Sequence, residues 1–254
     1  MEPSYILHTK LKELVGVHCN LAAPLHFLGI PFYRFAENTL QEICIKRGLD
    51  QKKLLLHLQE SQKQTVVPSY QSLSKSSVDV VINHLKSTHM WFIRYRLPFI
   101  SQMIQDIDSQ LFNSPEIAED MKIIFPEFME EFIHHIYEEE DTLFEYIRKL
   151  YKAKQEGFMN STELFYLMKR NSIKVYAQQH QDDDDEMAGI RYLTNHYQLP
   201  AHASPYMKVI YSELKKFEEE LMLHSCIENE ILFPKAKALE KAVVLKLTQA
   251  SKLN

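Results

Sequence analysis

Two short runs in different parts of the chain place a histidine four residues ahead of a glutamate: His135 with Glu139, and His224 with Glu228. On an α-helix four residues make one turn plus about 40°, so each imidazole shares a face with its carboxylate. An imidazole and a carboxylate side by side can grip one transition metal. Two such pairs facing each other across a helical bundle can hold two metals, with the carboxylates as bridges. Both pairs are followed at the same offset by Leu-Phe, as Leu143-Phe144 and Leu232-Phe233. The bland alternative is two surface His–Glu helix pairs, each worth a few tenths of a kcal/mol. The shared downstream residues weigh against it.

Other histidines extend the pattern. His180 opens the run His180-Gln181-Asp182-Asp183-Asp184, so Asp184 again stands four residues on. The functional reading is a histidine ligand with a carboxylate partner; the bland one is a polar helix exterior. His89 sits between apolar neighbours in Ser87-Thr88-His89-Met90-Trp91-Phe92. A lone histidine in such a stretch is more often a satisfied core residue. With three other helices each offering a histidine, His89 becomes a fourth candidate ligand. His84 falls about 140° from His89 around a helix, and His134 about 100° from His135, so neither shares the site. The remaining histidines read as surface or structural. Trp91, Phe92, Phe99, Phe125, Phe128, Phe132, Tyr137, Phe144 and Phe233 are expected as apolar bulk that limits solvent and small-gas access to a metal pair.

Long helices must carry these residues. Only five glycines occur in 254 residues, which excludes Gly-rich phosphate loops and most tight β turns. A polar stretch around Pro68 reads as a linker over 63–77, dividing a small helical module, 1–62, from a larger domain, 78–245. In the module a helix from about Thr39 should stop at Gly48, and Asp50 should cap the next. Four helical patterns follow: about Val78 to Asp106, kinked at Pro98; about Pro126 to Gln155; Asn160 or Ser161 to about His196; and from after Ser204 to about Leu239, bent at Pro234. Joined by modest loops, they read as an all-α, up-down four-helix bundle.

The formal net charge of -5 gives no reason to expect nucleic acid as a partner. Cys19, Cys44 and Cys226 are isolated and odd in number, which points to a reducing cytoplasm. The start Met1-Glu2-Pro3-Ser4-Tyr5 does not read as a signal peptide, and no apolar run approaches the roughly 18–20 residues of a membrane span.

Taken together, His135 with Ile136-Tyr137-Glu138-Glu139-Glu140-Asp141-Thr142-Leu143-Phe144, His180 with Ile190-Arg191-Tyr192-Leu193-Thr194, and Ile227-Glu228-Asn229-Glu230-Ile231-Leu232-Phe233-Pro234-Lys235-Ala236 resemble a known pattern. It is that of the haemerythrin-like domain of the iron-centre repair family, whose members are also described as regulators of cell morphogenesis and nitric oxide signalling. The resemblance covers about Val78 to Lys241 and implies two irons held by histidines and two bridging glutamates. The matching positions are His135, Glu139, His180, His224 and Glu228.

The chain departs from the family at several points. A frequent His-His pair in the first helix reads His89-Met90 here, which puts Met90 at the aligned ligand position. The stretch after that helix, Asp106-Ile107-Asp108-Ser109-Gln110-Leu111, lacks a further histidine. His89 and Asp184 are the candidate substitutes. The N-terminal module resembles the family's small preceding domain, with its cysteine pair replaced by Tyr33 and Arg34. The implied function is handling of iron or of a diatomic gas, NO or O2, in nitrosative or oxidative stress, with iron–sulfur proteins as partners and without turnover. The alternatives are a di-iron enzyme reducing NO, O2 or peroxide, and a metal-poor regulatory bundle. Carboxylates on three helices argue against the last, because unpaired buried acids are costly without a cation.

Overall fold

Thr39 accepts a hydrogen bond from the Glu42 amide, while the Glu42 carboxylate accepts one from the Thr39 amide. This reciprocal cap starts α1 (Leu40–Arg47), and Gly48 at φ 66° ends it. Ser77 starts α2 (Val78–Trp91) with a one-way cap, its side chain accepting from the Val80 amide. The path continues through a π turn, Phe92–Arg96, into α3 (Leu97–Asp106). Next come α4 (Pro115–Glu138), a π turn over Glu139–Phe144, and α5 (Glu145–Glu156). After Ser161–Arg170 lies α6 (Ile173–Asp182) and, after the short helix Ala188–Leu193, α7 (Pro205–Ile227). A π turn over Glu228–Leu232 leads into α8 (Phe233–Ser251).

The computed structural model describes residues 2–61, 68–156, 161–170, 172–182 and 185–251. Among them every regular element is helical, and the one strand-like contact is an isolated antiparallel bridge between Lys10 and Thr39. The fold is the expected all-α bundle. No described helix is long and apolar enough to cross a membrane.

Several helix boundaries differ from expectation, and α8 runs on to Ser251, past the end expected near Leu239. The second pattern starts at Pro115, and Pro126 lies inside α4. Ala118, Met121, Phe125, Phe128 and Phe132 are all buried at spacings of three or four, and that packing offsets the hydrogen bond Pro126 cannot donate. The third pattern is divided into separate helices, and its end is set by positive φ at Asn195, His196 and Tyr197. In the stretch read as a linker, the Ser69 side chain accepts from the Ser72 amide and caps a short helix, Tyr70–Lys75, that buries Leu73.

Pro98 and Pro234 each closely follow a π turn. A proline ring crowds the carbonyl four residues back, which here belongs to Arg94 and Glu230. Both residues lie within π turns, where the wider backbone path relieves that crowding.

The chain forms two compact units that do not follow chain order. The first joins Met1–Val67, Arg94–Glu127 and Met187–Glu218. Leu11, Leu14, Phe32, Leu40, Phe99, Met103 and Phe217 are buried in it. Arg34 donates to Asp106. Burial pushes the Tyr33 hydroxyl up to about 12, which keeps it a neutral phenol. Arg96 and Glu213 form a buried ion pair, with Nη1 2.7 Å from Oε2 and Nη2 reaching the Glu213 carbonyl at 3.3 Å.

The second unit joins Pro68–Ile93, Phe128–Glu186 and Glu219–Asn254. Val78, Val81, Ile82 and Leu85 of α2 pack in one core with Phe144, Ile147 and Leu150, and with Ile231, Leu232 and Phe233. α5 and α6 both lie against α8.

Removing one partner of a buried ion pair strands the other charge. Glu213→Ala should therefore cost about 3–5 kcal/mol of stability, whereas the apolar pair Arg96→Met with Glu213→Leu should recover most of it. Equilibrium urea unfolding of the three proteins measures this.

Candidate metal centre

The apolar stripe of α2 decides where its histidine goes. Val78, Val81, Ile82 and Leu85 recur at helical spacing on the buried side, and His89 is the next position on that stripe. His89 is 1% exposed, while Met90 is 47% exposed. The helix thus aims the imidazole inward and the thioether outward, and Met90 takes no part in the cluster.

Glu139 and Glu228 each open a π turn, and both are buried. His89, Glu139, His224 and Glu228 each place a ligating atom within 4.8 Å of the others. His89 Nε2 stands 2.9 Å from His224 Nε2 and 3.5 Å from Glu139 Oε2. His224 Nε2 stands 3.3 Å from Glu228 Oε1. His135, on the same face as Glu139, brings Nε2 to 3.8 Å from Glu139 Oε1. The two oxygens of Glu139 therefore face two different histidines, one on α2 and one on α4.

His180 lies in α6, and its side chain is outside what the structure describes. Asp184 lies outside the described residues. Among the described candidates, the fold brings together His89, His135, Glu139, His224 and Glu228.

Two neighbours of the cluster were not legible from spacing. Glu140 Oε1 contacts His89 Nδ1 at 3.0 Å, and Lys86 contacts Glu140 Oε2 at 2.7 Å. Glu186 Oε1 stands 3.8 Å from His135 Nε2. Glu140 stood within a run of three glutamates, and Glu186 at the end of an acidic run that reads as a solvated face. The Glu140 contact fixes the outer nitrogen of His89 and leaves Nε2 aimed at the cluster. Burial raises the Glu140 carboxyl, but the Lys86 and His89 contacts outweigh it and leave the group below its ordinary value. Phe144 stacks on His89 with the rings 6° from parallel, and Phe92 meets His224 edge-on. These two rings form part of the expected apolar wall. Trp91 and Tyr137 are exposed instead, because they fall on the outer faces of their helices.

The charges identify what the cluster needs. Burial, then the nearby His224, holds the His89 imidazole below its ordinary value, which favours the neutral form that binds metals. A neutral imidazole brings no positive charge to Glu139 and Glu228. Two carboxylate charges within 4.8 Å of each other repel by at least about 3 kcal/mol at an effective dielectric of about 20. A divalent cation among two imidazoles and two carboxylates removes that repulsion, and the mixed nitrogen–oxygen set suits iron and its neighbours. The donor set fits a metal.

Fold and site define an all-α bundle protein with a buried histidine–glutamate cluster able to hold a metal. No protein-family model matches the chain. It is 21% identical over 205 residues to the iron-sulfur cluster repair protein YtfE of Enterobacter sp. (strain 638), covering 80% of this chain and 85% of that one. YtfE of Escherichia coli O8 (strain IAI1) is 22% identical over the same shares. A probable iron-sulfur cluster repair protein of Haemophilus influenzae is 26% identical over 189 residues, 72% of this chain and 75% of that one. The chain is a distant relative of iron–sulfur cluster repair proteins, as the residue pattern implies.

Two outcomes follow from the site. A ligand present at 100 times its dissociation constant stabilises the folded state by about 2.7 kcal/mol, so chelation should lower the melting temperature by roughly 5–10 °C, read by calorimetry. Glu140→Gln, which keeps the shape but removes the charge behind His89, should weaken metal binding about 10–100-fold in a competitive chelator titration.

Proposed function

We propose that the chain is a cytoplasmic di-iron protein that handles iron or a diatomic gas, NO or O2, under nitrosative or oxidative stress, and that it assists repair of iron–sulfur proteins. One observation carries the two-metal reading. Glu139 turns one oxygen to His89 and the other to His135, the arrangement of a carboxylate that bridges two metals. The distant likeness to repair proteins over most of both chains supports the setting.

In this reading His89, His224 and Glu228 hold the inner position. His135 holds the outer one and Glu139 is shared; His180 and Asp184 are the further ligands that the residue pattern offers. Bound iron supplies gas binding and one-electron chemistry. The protein's own part is positioning. Glu140 and Lys86 orient His89, while Phe144 and Phe92 keep water from the inner side. The described residues at the cluster are donors and apolar rings, with Glu140 already engaged by Lys86 and His89. That suits binding and release better than turnover.

Stopped-flow mixing of the reduced, iron-loaded protein with NO should produce a new visible band. Incubation with an apo iron–sulfur protein and sulfide should restore that protein's cluster absorption. Silence in both assays rejects the reading, and sustained NO or O2 consumption with a simple electron donor replaces it with the enzyme alternative.

A further inference from the structure

The acidic run ahead of Ala188–Leu193 ends at Glu186, and the fold brings that carboxylate to His135. Their atoms approach to 3.8 Å, the same distance at which His135 meets Glu139 on its other side. Neither contact is a hydrogen bond, since both exceed the reach of an N–H to an oxygen. A separation of 3.8 Å has another meaning. Two atoms bound to one metal at about 2.1 Å stand roughly 3–4.2 Å apart, depending on the angle at the metal. His135 Nε2, Glu139 Oε1 and Glu186 Oε1 have that spacing along both contacts.

We propose that Glu186 is a carboxylate ligand of the outer metal, completing a position shared with His135 and the outward oxygen of Glu139. The proposal rests on the two-metal reading above. It makes the two positions chemically unequal. The inner one offers two imidazoles from His89 and His224, with Glu139 and Glu228. The outer one offers a single described imidazole and the same number of carboxylates, a set richer in oxygen and therefore harder, which favours ferric over ferrous iron. Exposure points the same way. The side chains of His135 and Glu186 are 35% and 28% exposed, against 2% for His89 and 1% for Glu228. A metal held by fewer nitrogens and nearer to water exchanges faster. The outer iron is therefore the one available for delivery, and the inner iron is retained.

The experiment compares full-length protein with Glu186→Gln and Glu186→His, each loaded anaerobically with Fe(II) and analysed for iron per chain. Release to a ferrous chelator is then followed by absorbance. The native protein should hold two irons and release them in a fast and a slow phase of equal amplitude. Glu186→Gln should hold one, or lose the iron of the fast phase at least tenfold faster, with the slow phase unchanged. Glu186→His, which restores a ligand, should recover two irons and slow the fast phase. Retention of two irons with unchanged release in Glu186→Gln overturns the proposal, as does loss of both irons together. Native protein that binds no iron rejects the underlying two-metal reading instead. Because Glu186 lies at the surface, the metal-free variants should melt with the metal-free native protein, which separates ligand loss from misfolding.

Discussion

Glu139 and Glu228 are withdrawn from water within reach of each other, and such a placement costs several kcal/mol per carboxylate before any partner is counted. The second unit is arranged around that cost. Its apolar core begins directly beside the cluster, with Leu143 and Phe144 after one glutamate and Ile231, Leu232 and Phe233 after the other. The ring of Phe144 that stacks on His89 is also part of that core. The core therefore holds the donors together, and a cation makes their closeness favourable. The protein without metal combines a well-packed interior with an electrostatic conflict at its edge.

Much of the cluster was legible because it is written in local spacing. A histidine and a glutamate four residues apart share a face in any helix, so the two pairs needed no tertiary information. His89 was harder to read because the resemblance puts its neighbour Met90 at the expected ligand position. The phase of Val78, Val81, Ile82 and Leu85 resolves it, since that stripe leaves only one of the two residues facing inward. Glu140 and Glu186 could not be read in this way. Each acts on a histidine 51 residues away along the chain, and nothing in an acidic run says which member will meet a partner from elsewhere. The stop at Gly48 and the cap at Asp50 were legible because caps are local chemistry. The extension of α4 through Pro126 was not, because packing there outweighs a local helix breaker.

The two units also differ in how they treat charge. In the first, Arg96 and Glu213 are buried as a matched pair that requires nothing from outside. In the second, the buried acids meet imidazoles, and burial keeps the His89 ring neutral. The first arrangement is closed to ions. The second is able to take one up, because a species with more than one positive charge satisfies both glutamates together.

The π turns have a bearing on how such a chain can change over time. Each holds one residue more than a regular helical turn, and that residue sets the rotation of all that follows. On the two helices that carry the glutamates, the histidines lie upstream of the turn and most of the side chains they give to the second unit's core lie within or after it, so the turn indexes chemistry to packing. Deleting one residue between Glu139 and Phe144, or between Glu228 and Leu232, would let the helix close into an ordinary α turn. The following stretch would then rotate by about 100° and present its polar side to the core. Substitutions at the surface of these helices are cheap by comparison. Chain length between ligand and core is the property that cannot drift, so relatives too distant to align by identity should still agree in the count of residues across these turns.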